Sequence, residues 1–138
     1  MLPSGQLKAG ITDPGVMTPR ISVIITAFRE ERTVDRAIEA FLHQLRGRTA
    51  SPLPGSMPPA EILVVCPDPG TTAVVDEYAA RYPCVRHIAD PQRGKPTAVS
   101  MGLGAANGDI VVLSDGDVVI AEDALNPLLT PFVDPQVG

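Results

Sequence analysis

The 138-residue sequence predicts an α/β fold: a three-layer sandwich with a mostly parallel sheet. Three observations lead there. Short β-branched runs alternate with segments of helical period, the order that builds parallel sheets through right-handed crossovers. Hydrophobic residues make up 44% of the chain, but aromatics only 4% and Trp is absent, so the core must be Val, Ile, Leu and Ala. That composition suits strands covered on both faces by helices. The 15 prolines crowd the N-terminus, the 52–59 stretch and the far C-terminal end, and largely spare the periodic segments.

Residues 1–19 carry no sustained period and are expected to form a flexible leader, with one domain over 20–138. Ile21–Ile25 reads as the first strand, and Thr26–Glu31 as the turn out of it. Val34, Ala37, Ile38, Phe41, Leu42 and Leu45 recur at helical spacing, which predicts an amphipathic helix from about Glu31 to Leu45. Thr33 or the two glutamates fall in its first turn. The Pro/Gly/Ser-rich stretch 46–60 is expected as an exposed insertion away from any ligand. Glu61–Val65 is the second strand, ending at Cys66-Pro67-Asp68-Pro69-Gly70. Thr71 or Thr72 can cap the next helix, which Pro83 ends. Val85–Ala89 is the third strand. After the turn Asp90–Pro96 a small-residue helix runs to about Ala106, with Pro96 at its start. Gly102 and Gly104 lower its propensity, so close packing on the sheet is expected of both. Asn107-Gly108 stops it. Asp109–Leu113 is the fourth strand, and Glu122 to about Phe132 a last helix, broken near Pro127.

A net charge of −5 and the lack of a basic stripe argue against binding nucleic acid through its phosphates. The sequence shows no signal peptide and no window long and apolar enough to cross a membrane. Cys66 and Cys84 lie at no metal-ligand spacing, which fits reduced, buried thiols in a cytoplasmic setting. His43 is expected to face solvent. No Walker A, G-x-S-x-G or G-x-G-x-x-G motif is present at a position that would support one.

In open parallel sheets ligands bind beyond the carboxyl ends of the strands. Those ends here are Thr26–Glu30, Cys66–Gly70, Asp90–Lys95 and Ser114–Asp117, and they hold most of the reactive side chains. Asp115 and Asp117 project to one side of an extended segment. Gly116 between them allows close approach to the backbone. Two hard oxygen donors suit Mg2+ or Mn2+ completed by water and phosphate oxygens; the alternative is an Asp-Gly turn with solvated acids. Lys95, beside Gly94 at a helix start, can meet a phosphate or a base carbonyl, or else is a surface lysine. Asp68 can accept from a base or sugar hydroxyl, or simply sit in its turn. Glu30 can bind a ribose hydroxyl, or only serve the helix start. As a set these groups suit a nucleoside diphosphate.

The landmarks of the chain then resemble the family 2 glycosyltransferases. Ile21–Glu31 is similar to the family's opening S-V-I-I-P-A-Y-N-E-E, and Glu61–Val65 to the strand before its D-D-x-S turn. Gly94-Lys95-Pro96-Thr97-Ala98 is similar to G-K-x-x-A, and Ala106–Asp117 to A-x-G-D-x-I-x-x-x-D-x-D. The resemblance implies the Rossmann-like nucleotide-binding half of the GT-A fold. It implies a UDP- or GDP-sugar donor as the partner, and Mn2+ or Mg2+ as the cofactor. It places Ala27, Phe28, Glu30, Lys95 and Asp115 at the nucleotide sugar, and Asp115 and Asp117 at the metal; Thr26, Asp68 and Gly94 join the nucleotide-sugar set from the strand ends, with Asp68 two positions past Cys66 as the substitute for the base-reading acid. Three departures stand out: Thr26 for a proline, Arg29 for an asparagine, and Cys66-Pro67 for two acids. The family's base-reading role is therefore not carried over to Cys66.

No catalytic base is identifiable, because the family's base and acceptor-binding groups follow the D-x-D segment. The expected function is a donor domain for glycosyl transfer. The alternative is a non-catalytic module that holds a nucleotide sugar or a partner protein and lacks the acceptor half, which a partner chain or a further segment would supply. Attachment to the cytoplasmic membrane face would come through such a segment or partner. D-x-D-x-V also resembles the haloacid-dehalogenase nucleophile pattern, but that motif belongs on an early strand and here it follows the fourth.

Overall fold

The computed structural model describes residues 19–48 and 60–137. The expected leader lies outside these residues but for Pro19, and so does most of the 46–60 stretch. The order of elements is β1 Ile21–Thr26, α1 Val34–Gln44, β2 Ala60–Cys66, α2 Pro69–Arg81, β3 Val85–Ala89, α3 Lys95–Ala105, β4 Ile110–Asp115 and α4 Leu125–Leu129. A 3-10 turn, Thr130–Val133, follows. The four strands form one parallel sheet in the order β3-β2-β1-β4. The crossover from β3 through α3 to β4 passes behind β2 and β1. The chain direction of strand addition therefore reverses between β1 and β4, and that switch point is where a crevice opens.

Strand alternation divides the core in two. Val23, Ile25, Ile62 and Val64 face the α1/α2 side, where Val34, Ile38, Phe41, Leu45 and Val75 meet them. Ile24, Leu63 and Val65 face the other side, against Ala98 of α3. This is the predicted three-layer sandwich. Each fully buried Ile, Leu, Val or Phe contributes roughly 1.5–3 kcal/mol of apolar transfer. The Tyr78 hydroxyl donates to Glu39, tying α2 to α1. Burial, and then the Glu39 carboxylate, push the Tyr78 phenol up to about 12. Cys66 and Cys84 are buried free thiols, and burial pushes both above their ordinary range.

Several boundaries differ from the sequence reading. α1 starts at Val34, because the Thr33 and Val34 amides both close back on the Glu30 carbonyl at 3.0 and 2.9 Å and make a turn of residues 31–33. The cap of α2 is Asp68, not Thr71 or Thr72: its carboxylate accepts from the Thr71 amide at 3.0 Å, and Pro69 occupies the first helical position. α4 starts at Leu125, after Asp123 adopts φ +60, and Pro127 sits inside that short helix rather than breaking a longer one. The close packing expected of α3 holds at Gly102, where a Cβ would stand 2.6 Å from Ile24 Cγ2. Gly104 has nothing within 4 Å.

At the amino ends of the strands lies a closed polar cluster. Glu61 is buried and its Oε1 accepts from the Ser22 hydroxyl and the Asn107 amide, both at 2.7 Å. Arg86 donates to Glu61 Oε2 at 3.2 Å. The Gly108 amide donates to Ser22 Oγ at 2.8 Å, and a Cβ at Gly108 would be 2.6 Å from Ser22 N. Among the described residues no helix is long and apolar enough to cross a membrane.

Candidate functional site

The opposite, carboxyl ends of the strands are open. Thr26 and Asp115 are register partners at the ends of β1 and β4. The Thr26 hydroxyl donates to Asp115 Oδ1 at 3.1 Å, and the Gly116 amide donates to the Thr26 carbonyl at 3.0 Å. The ladder thus runs one residue past the strand and fixes the start of the Asp115-Gly116-Asp117 turn. Lys95, the first residue of α3, reaches across the crevice and donates to the same Asp115 oxygen at 2.5 Å. This bond, more than any other influence, holds the Asp115 carboxyl below its ordinary range.

Phe28-Arg29-Glu30 forms the facing wall. Arg29 has φ +54, a left-handed conformation that L residues other than Asn and Asp seldom adopt. Asp68 holds it there, accepting from the Arg29 amide at 2.8 Å, while Thr71 Oγ1 accepts from the Glu30 amide at 2.9 Å. Thr71 in turn donates its hydroxyl to Asp68 at 2.7 Å. Burial pushes the Asp68 carboxyl up, but these donors outweigh it and hold the group below its ordinary range. The loop is therefore pinned from beneath by the cap of α2. Phe28 stays 48% exposed, with the Arg29 guanidinium 5.0 Å from its ring centre.

A cavity of about 320 Å³ opens between these walls. Thr26, Ala27, Phe28, Glu30, Lys95, Asp115 and Asp117 line it. The structure brings these predicted residues together. It does not bring Asp68, whose two carboxylate oxygens are both engaged in the α2 cap and the Arg29 turn. Gly94 lies beside the cavity as the cap position of α3, with φ +97. Asp90 and Ala98 also line it, and sequence reasoning did not single them out. A readable signal existed for Asp90, the first residue past β3 and hence at a strand end. For Ala98 the signal was its place as the last residue of the G-K-x-x-A landmark.

Among the described residues, no group of three or more His, Cys, Asp or Glu side chains is placed to hold a metal ion. The donor set fits a different arrangement. Glu30 Oε2 is buried without a hydrogen-bond partner. Burial, then the charges of Asp117 and Asp115, push the Glu30 carboxyl up. Three carboxylates sharing one lysine make a site that a cation would relieve. Two Asp carboxylates are the number a divalent ion takes from protein when phosphates and water supply the rest. His43 is exposed at the end of α1, and His87 Nε2 lies 2.9 Å from the Cys66 carbonyl, so neither reaches the cavity.

The model of a protein family described as Glycosyl transferase family 2 matches residues 22–138. An N-acetylglucosaminyltransferase of Azorhizobium caulinodans is 29% identical over 128 residues, covering 88% of this chain and 30% of that protein. A mannosyltransferase of Pyrobaculum calidifontis, solved in complex with GDP-Man and Mn2+, superposes with a TM-score of 0.73 at 24% identity. The match covers 96% of this chain and 38% of that one. Glucosyl-3-phosphoglycerate synthase of Mycobacterium tuberculosis, solved with Mn2+, UDP and glucosyl-3-phosphoglycerate, gives 0.60 at 22% identity, over 90% and 46% of the two chains. At such identity the two structures speak to the fold alone, and they bear out the GT-A expectation. The chain spans less than half the length of each of these relatives.

Proposed function

Because the chain belongs to glycosyl transferase family 2, we propose that it forms the donor-binding part of an enzyme that transfers a sugar from a nucleoside diphosphate to an acceptor hydroxyl. One observation carries this reading: Lys95, Asp115, Asp117 and the unpartnered Glu30 carboxylate converge on a single cavity at the sheet's switch point. Asp115 and Asp117 would hold Mn2+ or Mg2+, with Glu30 close by. The bound ion supplies neutralisation of the charge that builds on the leaving diphosphate. Lys95 would exchange its bond to Asp115 for a phosphate oxygen. Thr26 keeps Asp115 oriented while it does so. Ala27 and Phe28 would line the nucleoside, with Glu30 within reach of a ribose hydroxyl. Asp68 acts by fixing the Phe28–Glu30 turn. Gly94 lets α3 begin where Lys95 can reach across.

The test is calorimetric titration with UDP and GDP, with and without Mn2+. Binding is expected to need the ion. If Asp115→Ala and Asp117→Ala leave metal-dependent binding unchanged, the assignment is wrong.

One observation favours a second reading, a module that holds the nucleotide sugar without turning it over. Of the acids that follow Asp117, Glu122 and Asp134 do not line the cavity, and Asp123 lines a separate groove with His43 and Arg46. Glycosyl transfer by the 138-residue chain itself would reject this second reading.

A further inference from the structure

The donor-site reading accounts for one end of the cavity only. Lys95, Asp115 and Asp117 gather at the β4 side, with the Glu30 carboxylate against Gly116 between the two aspartates. At the far side, immediately after β3, the wall carries one charged group, Asp90. In the order β3-β2-β1-β4, the ends of β3 and β4 are three strand spacings apart. At ~4.8 Å each, that separation is roughly 14 Å. A nucleoside diphosphate whose phosphates lie at β4 would therefore extend its base toward β3.

Resting on that reading, we propose that Asp90 selects the nucleobase, accepting the ring N–H of uracil or guanine. The Asp90 carboxylate is held in place: its Oδ1 accepts from the Gln92 amide at 2.9 Å, in a turn where Gln92 has φ +58. No other hydrogen bond to Asp90 is made among the described residues, which leaves Oδ2 free to accept. The neighbouring strand end offers no substitute. Cys66 is fully buried in the α1/α2 core with its sulfur 3.5 Å from Thr72 Oγ1, and the Pro67 side chain carries no acceptor atom. Asp68 is occupied on both oxygens.

The chemistry discriminates by sign. Uracil N3 and guanine N1 carry a proton at neutral pH and can donate to a carboxylate. Cytosine N3 and adenine N1 present a lone pair there, which a fixed carboxylate repels. A charged acceptor with a single free oxygen therefore favours UDP- or GDP-linked donors over CDP- or ADP-linked ones.

The test uses the 138-residue chain with Mn2+ and titrates UDP, GDP, CDP, ADP and, as a base-free control, pyrophosphate. Asp90→Asn keeps an acceptor for the Gln92 amide and replaces the free oxygen with a donor. Asp90→Ser, which also suits the turn, serves as a second variant. The parent chain is expected to bind UDP or GDP more tightly than CDP and ADP. Both variants should weaken the favoured nucleotide roughly tenfold and narrow the gap, with pyrophosphate unchanged. Unchanged selectivity, or an equal loss for pyrophosphate, overturns the role of Asp90 alone. A parent chain that binds no nucleoside diphosphate overturns both this role and the donor-site reading.

Discussion

Gly116 lies directly against Glu30: a methyl group added at Gly116 would overlap Glu30 Oε2 and stand 2.7 Å from Ala27 Cβ. The carboxylate can swing away, but the Ala27 methyl sits at a strand end and cannot. Gly116→Ala is therefore expected to cost about 1–3 kcal/mol of stability. It should also push Glu30 into the cavity and weaken Mn2+-dependent nucleotide binding. Urea unfolding and calorimetry check the two effects separately. A variant indistinguishable from the parent in both would show that no close packing exists there.

Lys95 is the main reason that the Asp115 carboxyl lies below its ordinary range. Lys95→Met should let that carboxyl move up toward the value of a free aspartate, a change readable by NMR titration. Because the ion pair is exposed, the melting temperature should hardly change. Binding of UDP or GDP should weaken by roughly tenfold if the ammonium meets a phosphate. Retention of full affinity would assign Lys95 to the surface.

Arg29 holds a left-handed backbone that asparagine adopts more readily. The bond that fixes the turn uses the Arg29 main-chain amide, which any residue but proline supplies. Arg29→Asn is thus expected to raise stability by about 0.5–1 kcal/mol, measured as a shift of the urea midpoint at constant slope. A loss of stability would mean that the guanidinium stacked on Phe28 outweighs the backbone gain.

Glu61 makes stability depend on acid. Burial pushes its carboxyl up, but the Asn107 amide, the Ser22 hydroxyl, the Asn107 side chain and Arg86 together hold it below 4.5. The folded-state value lies beneath the unfolded one, so this stabilisation is complete above about 4.5 and fades as pH falls through the folded-state value. Glu61→Gln should be less stable by roughly 1–3 kcal/mol at about pH 7, and should lose less than the parent on acidification. Parallel pH profiles for the two chains would exclude Glu61 as the source.

Much of this architecture was readable because β1 and β2 are apolar runs broken only by Ser22 and Glu61 before their final residues. Ile21–Ile25 and Glu61–Val65 had few alternatives, and the paired acids followed directly from the end of β4. What escaped were features set by hydrogen bonds across elements. Asp68 looked like a turn residue within Pro-Asp-Pro-Gly. An aspartate directly before a proline is also a helix start, and its carboxylate caps α2 through the Thr71 amide. Asp90 looked like the opening of another turn, although its place just past β3 already put it among the strand ends, and the pairing of β3 with β2 brings it to the cavity. The delayed start of α4 depends on Gln44, whose amide group donates to the Ala121 carbonyl and accepts from the Leu125 amide, a contact across 81 residues that no local pattern encodes.

The two ends of the sheet use the same kinds of side chain to opposite purposes. At one end Ser22, Glu61, Asn107 and Gly108 satisfy one another. At the other, Glu30 and Asp90 each retain an oxygen without a protein partner. Change can therefore accumulate unevenly. A substitution at the closed end is felt as a folding defect whatever the ligand, whereas one at the open end can redirect which ligand is held while the scaffold stands. The core of Ile, Val and Leu between them insulates one kind of drift from the other.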